Sequence, residues 1–263
     1  MRPGICLMIF FLLATGWAEA WGEGAYSAGY AAVLAAHVRD GGVDYAGLKE
    51  QEALLNTVLE AMAAVDPATL PQPERIAFYI NAYNAWTIKL ILDHWPGIRS
   101  IKEAGNILRS PWKREFVRLA GKTVSLDAIE HGILRRHYGD ARLHFALNCA
   151  SVSCPPLAGV PYQGQTLNAQ LDAQTAAFIN DPAQTFVADG RLHVSKLFDW
   201  YGEDFGGETG AWAFIRRFAG PRLATALDAL ADHRLVYTDY DWALNDRPRG
   251  ARPSAPAAAP EQP

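Results

Sequence analysis

The sequence has 263 residues, 50% of them hydrophobic, and a formal charge of −4 from 24 basic and 28 acidic side chains. A chain of this length and apolar content buries a substantial core without cross-links. Its negative balance argues against nucleic acid as a partner.

At the N-terminus Arg2 precedes an apolar run, Ile5 to Ala14, and Ala18-Glu19-Ala20 stands before Trp21. This is the pattern of a secretory signal with an A-x-A cleavage site, occupying residues 1–20. The run is about half of the roughly 20 apolar residues a membrane-spanning helix needs, so no permanent membrane anchor is expected. Cleavage removes Cys6, and the product is expected to be periplasmic or secreted. Cys149 and Cys154 then remain, and an even pair in an oxidising compartment favours a disulfide.

Helical spacing of apolar residues predicts helices over Ala28–Val38 and Ala46–Val65, interrupted by Asp40-Gly41-Gly42. Pro73 opens a longer segment, Glu74–Trp95, apolar almost all round and therefore the expected central helix. Asn81 and Asn84 lie on one face of it. A buried amide left unpaired costs on the order of 1–3 kcal/mol, so each must hold loop backbone or line a site.

Arg114–Leu119 and Lys122–Leu126 read as one hairpin. The two sides of Asp189-Gly190 in "TFVADGRLHVS" read as another, with a type I′ turn. Between them come a helix capped by Ser125, an expected strand Arg142–Leu147, the cysteine loop, and a helix Leu167–Ile179. Short helices near Lys196–Tyr201, Ala211–Phe218 and Arg222–Ala231 precede an aromatic strand, "RLVYTDYDWAL". Residues 21–245 thus read as a single α+β domain, helices packed on a small antiparallel sheet. Residues 246–263, rich in Pro and Ala, read as a disordered tail.

Asn148 at the end of the expected strand is a good N-cap, so Cys149 would start a helical turn whose free N–H groups stabilise a thiolate or an oxyanion. A thiol nucleophile also needs a base. His144 is expected in the core, bonded to backbone, and His37, His94 and His233 sit near helix ends. His131, with Asp127 one turn before it, and His193, followed by Asp199 and Asp204, are retained. No metal is expected, for there is no C-x-x-C and no H-x-x-x-H, and the five-residue step from Cys149 to Cys154 suits neither zinc nor thioredoxin chemistry. Nothing calls for a cofactor, and nothing sets the oligomeric state.

Four stretches, "FYINAYNAWTI", "LDAIEHGILR", "HFALNCASVSCPPL" and "SKLFDWYGEDF", together resemble the domain-of-unknown-function 547 family, found in exported bacterial proteins and in plants. The resemblance runs from about Val43 to Asn245. It implies a papain- or transglutaminase-like architecture. It also marks Asn81 and Asn84, the pair Glu130 and His131, and Cys149 as site residues. Cys154, a serine in plant members, is less implicated, and His193 falls outside the motifs.

Three readings stay open. The first is a cysteine-dependent hydrolase or acyltransferase with Cys149 as nucleophile, His131 as base and Glu130 or Asp127 orienting it. Asn81, Asn84 and Asn148 would support that site, and peptides or cell-envelope material would be its substrates. The second is a non-catalytic binding or scaffold module with a structural Cys149–Cys154 disulfide. The third joins them, with the disulfide gating the nucleophile.

Overall fold

The computed structural model describes residues 20–106 and 110–248. The expected signal sequence, apart from Ala20, and the tail beyond residue 248 lie outside the described residues. Among the described residues no helix is long and apolar enough to cross a membrane.

The first helix, α1, runs Ala20–His37, and a two-residue ribbon, β1 (Val38–Arg39) with β2 (Gly42–Val43), turns the chain back. The ribbon turns through Asp40 and Gly41, both at positive φ, and a Cβ on Gly41 would collide with Pro156. The expected second helix is two, α2 (Tyr45–Glu50) and α3 (Glu52–Ala64), with Asp44 capping α2 through the Gly47 N–H. Helix α4, Gln72–Leu92, starts with Pro73 in its first turn and buries 14 of its 21 residues, as its all-round apolar pattern requires.

Strands β3 (Glu115–Leu119) and β4 (Lys122–Ser125) form the first expected hairpin, turning through Ala120 and Gly121 at positive φ. The helix that Ser125 caps, its Oγ accepting from the Ala128 N–H at 3.0 Å, is a π-helix over Ala128–Arg135 followed by a single α turn, α5 (Arg136–Tyr138). The expected strand Arg142–Leu147 is absent. Ala141–Phe145 is instead a 3-10 helix capped by Asp140, whose carboxylate accepts from the Arg142 N–H. A short apolar run does not by itself distinguish these states.

Helix α6 (Leu167–Ile179) leads to the second hairpin, β5 (Thr185–Ala188) and β6 (Arg191–Val194), whose turn residues Asp189 and Gly190 take the positive φ of a type I′ turn. Helices α7 (Leu197–Trp200), α8 (Gly207–Phe218) and α9 (Pro221–Asp228) follow. Of the expected terminal strand only β7, Leu235–Tyr237, pairs in the sheet, and it runs parallel to β6 rather than antiparallel. The backbone stays pinned beyond Asn245: Asp246 bridges Val43, and the Arg247 N–H donates to Val43 O at 2.8 Å. The folded chain therefore extends past the expected boundary at residue 245.

The result is one α+β domain with a larger core around α1, α3 and α4 and a smaller one around α8 and the β5–β6–β7 sheet. The 3-10 segment joins the two. Leu143, Ala146 and Leu147 enter the larger core, and Phe145 enters the smaller, where its ring meets Phe178, Phe198, Phe205 and Phe214. With its neighbours committed in two directions, His144 is left facing the gap between the cores.

Candidate active site

That gap is a cleft of about 220 Å³ whose wall includes Cys149, Cys154, His131, His144, Asp127, Glu130, Tyr83, Tyr201 and Tyr240. It draws on α4, the π-helix, the 3-10 segment, α7 and the chain after β7.

Cys149 and Cys154 are joined by a disulfide, with Cα atoms 5.9 Å apart. Cys154 is buried and Cys149 half-buried. Cys149 Sγ lies 3.1 Å from Ser151 Oγ and 3.2 Å from Tyr240 Oη. Burial pushes the Tyr240 phenol up to about 12, with Ser151 opposing the shift, so at neutral pH Tyr240 is an O–H donor beside the sulfur.

The expected helical turn at Cys149 does not form. Asn148 Oδ1 accepts from the Ala150 N–H at 3.0 Å, closing a turn in which Ala150 takes φ +58°. The following amides are also spoken for: Val152 donates to Ala243 O, Ser153 to Asp241 O and Cys154 to Ser151 O. The donors nearest the sulfur are therefore the Ser151 and Tyr240 hydroxyls rather than the start of a helix. Asn148 Nδ2 also donates to Pro155 O at 2.7 Å, and Asn245 Nδ2 donates to Asn148 Oδ1 at 3.2 Å. Asn148 thus ties both ends of the cysteine loop.

Asn81 and Asn84 hold backbone. Asn81 Nδ2 donates to Tyr162 O at 2.8 Å and Oδ1 accepts from the Tyr162 N–H at 2.9 Å. Asn84 does the same for Ala146 O and the Asn148 N–H, at 2.9 and 2.8 Å. Neither lines the cleft. Asn84 acts at one remove, fixing the backbone immediately before Cys149.

In the π-helix successive side chains are separated by less than the ~100° of an α-helix, so Glu130 and His131 both reach the cleft. They do not act on each other in the expected way. Glu130 is buried, and its Oε1 accepts from Tyr201 Oη at 2.6 Å. Burial, reinforced by the Glu130 charge, raises the Tyr201 and Tyr83 phenols and keeps both protonated. His131 has a partly exposed side chain, with Nε2 3.9 Å from Asp127 Oδ1 and Nδ1 2.9 Å from Arg135 Nη1. A guanidinium only donates, so His131 Nδ1 is an acceptor and its lone pair is occupied. Asp127, not Glu130, is the carboxylate beside His131.

His144 is the side chain that sequence reasoning set aside. It is buried, but its partner is not backbone: Nε2 lies 2.6 Å from Asp204 Oδ2. Its ring stacks on Tyr201, with centroids 3.8 Å apart. Asp204 is gripped from behind by Arg135, through Nε to Oδ2 at 2.6 Å and Nη2 to Oδ1 at 2.9 Å. The Arg135 fork, and then the His144 contact, hold the Asp204 carboxyl below its usual value. An ionised carboxylate accepts only, so Nε2 carries the proton and Nδ1 keeps its lone pair. Burial lowers the pKa of His144, with Asp204 opposing, which keeps the ring neutral at pH 7.

His193, the alternative base, lies flat on Phe186 in the β5–β6 hairpin, centroids 4.8 Å apart, and is not part of the cleft wall. Among the described residues no group of three or more His, Cys, Asp or Glu side chains is placed to hold a metal ion.

Residues 67–179 match the model of a family described as a protein of unknown function, DUF547. This stretch is narrower than Val43–Asn245. It supplies the Asn81/Asn84 helix, Glu130, His131, His144 and both cysteines, while Tyr201, Asp204 and Tyr240 lie beyond it. Comparison with curated proteins and with solved structures gives no match. Three of the four motifs lie inside this match, which supports the DUF547 family over residues 67–179 of the chain.

Proposed function

We propose that this is an exported, redox-gated thiol enzyme, a hydrolase or acyltransferase acting on amide or related acyl bonds, with Cys149 as nucleophile. One convergence supports the reading: Cys149 and His144 line a single cleft, and Asp204 holds His144 from outside its wall. A nucleophile, a base and a carboxylate that orients the base are the parts such chemistry needs. The sequence points to His131 as base, but its Nδ1 is taken by Arg135, whereas His144 keeps Nδ1 free.

The disulfide must first be reduced. An external dithiol supplies two electrons and two protons and is itself oxidised to a disulfide, leaving Cys149 and Cys154 as thiols. His144 Nδ1 then takes the Cys149 proton as the sulfur attacks the substrate carbonyl carbon. The negative charge on the carbonyl oxygen is met by Tyr240 and Ser151 hydroxyls. Collapse breaks the acyl bond, and the departing amine receives the proton from His144. Water or a second amine then attacks the thioester, releasing the acyl group and returning the proton to sulfur. Peptides or cell-envelope material are the proposed substrates.

The disulfide also favours a second reading, a binding or scaffold module in which the bond merely fixes one wall of the cleft. The two separate in one experiment. The protein, with and without prior reduction, is treated with an acyl-ester electrophile and digested for mass spectrometry. The enzyme reading expects the acyl group on Cys149 of the reduced sample alone. Absence of acylation in both samples would favour the binding module.

A further inference from the structure

One side of the cleft is a shelf of aromatic rings that the acyl-transfer scheme leaves unused. Trp200 meets Tyr240 at a tilt, with centroids 4.8 Å apart, and stacks on Trp242 at 5.6 Å. Tyr240 and Trp242 are 4.5 Å apart, and Trp112 meets Trp242 edge-on at 5.7 Å. All four line the cleft. Packing alone does not account for them, because Trp200 is 44% exposed. Tyr240 is at once part of the shelf and the neighbour of Cys149 Sγ, so whatever lies on the shelf lies beside that sulfur.

The charge of the cleft says what the occupant is. Among the described residues its wall carries the Asp127 and Glu130 carboxylates and no lysine or arginine. Glu130 is buried and engaged by Tyr201, but the Asp127 side chain is 34% exposed, and among the described residues it meets His131 at a long 3.9 Å. Arg135 is held by Asp204 and by His131 Nδ1 rather than by Asp127. The shelf already attracts one ammonium: Lys102 Nζ sits 3.8 Å from the centre of the Trp242 ring. Electron-rich ring faces and a partly exposed carboxylate in one concavity are the chemistry of cation recognition.

We propose that the Trp112–Trp200–Tyr240–Trp242 shelf and Asp127 form a subsite for an alkylammonium group, such as the side chain of a lysine or a related diamino acid, carried on the ligand of this cleft. The inference takes from the acyl-transfer reading only the name substrate; binding on the shelf requires no nucleophile. If that reading holds, the subsite places an amine-bearing residue next to the reacting sulfur.

The test uses the full, disulfide-bonded protein and follows tryptophan fluorescence during titration with Nα-acetyl-lysine amide and with Nα-acetyl-norleucine amide, which lacks the charged amine. The lysine probe should bind at least about fivefold more tightly, the size expected of a cation over aromatic rings. Asp127→Asn should shrink that preference, and Trp200→Ala should weaken the lysine probe about tenfold. Circular dichroism of each variant shows whether the fold is kept. Equal binding of the two probes, no saturable response to either, or saturation by a neutral chitin oligosaccharide at lower concentration would overturn the proposal. Because the thiol is capped throughout, failure of the nucleophile reading leaves these outcomes unchanged.

Discussion

His144 Nε2 lies 2.6 Å from Asp204 Oδ2 across 60 residues of sequence, and Arg135 grips the same carboxylate from the other side. The contact fixes which ring nitrogen carries the proton and so which one keeps its lone pair, the nitrogen that the proposed function assigns as base to Cys149. Asp204→Asn removes the charge while keeping the shape. It should slow alkylation of reduced Cys149 by at least about tenfold, in the range that loss of an oriented base produces. Mass-spectrometric labelling rates at pH 6 check this.

His131→Ala should change the Cys149 labelling rate less than about threefold. The Arg135 guanidinium already occupies Nδ1, and the side chain is partly exposed. A loss as large as that of Asp204→Asn would restore His131 as base.

Asn84→Ala removes two buried hydrogen bonds at once and strands Ala146 O and the Asn148 N–H. Each unpaired buried group costs about 1–3 kcal/mol, so the variant should lose about 2–6 kcal/mol, read from urea unfolding midpoints. Asn81→Ala, which strands both backbone groups of Tyr162, should cost a similar amount without altering Cys149 labelling in the folded protein.

Acidification should destabilise the fold in two stages. The His144 pKa is lowered below the ordinary histidine value of 6.5, so the unfolded chain binds this proton more readily than the folded one. Its contribution is complete above pH 6.5 and is lost as pH falls toward the folded pKa. Asp204, also depressed in the folded state, contributes above the ordinary 3.8 and is lost on further acidification. Thermal melts from pH 8 to pH 3 should show a first decline beginning near pH 6.5 that His144→Gln abolishes.

How far the sequence revealed this molecule depends on how local each feature is. The central helix, both hairpins and the Ser125 cap follow from apolar periodicity, turn residues and a side-chain cap, all of which act within a few positions. The segment at His144 does not. "RLHFAL" alternates like a strand, yet its neighbours bury into two different cores and wind it into a 3-10 helix. Reading it as a strand placed His144 in the core bonded to backbone and hid its contact with Asp204. Its partner Asp204, like Tyr201 and Tyr240, comes from a distant stretch with no spacing signal to link it. The π-helix at Glu130 and His131 is likewise silent in sequence, because the same apolar pattern serves an α-helix. Nothing local indicates that β7 pairs parallel to β6.

Reduction should leave the domain folded. The disulfide closes a loop spanning a sequence separation of only 5. Loss of so short a loop costs about 2 kcal/mol in chain entropy. Asn148 continues to tie the loop through Ala150 and Pro155. Urea unfolding of the reduced and oxidised protein measures the difference, and a reduced protein with no cooperative transition would assign the bond a structural role.

The central claim is that Cys149, once reduced, is a thiol activated by His144. The most direct test is the pH dependence of iodoacetamide alkylation of Cys149 and Cys154 in the reduced protein and in the His144→Gln variant. In the wild type, Cys149 should label at least about tenfold faster than Cys154 at pH 6, with a midpoint well below the ~8.5 of a free thiol. In His144→Gln its profile should move back toward that value. Equal, slow labelling of both cysteines at pH 6 in the wild type, unchanged by His144→Gln, would contradict the account.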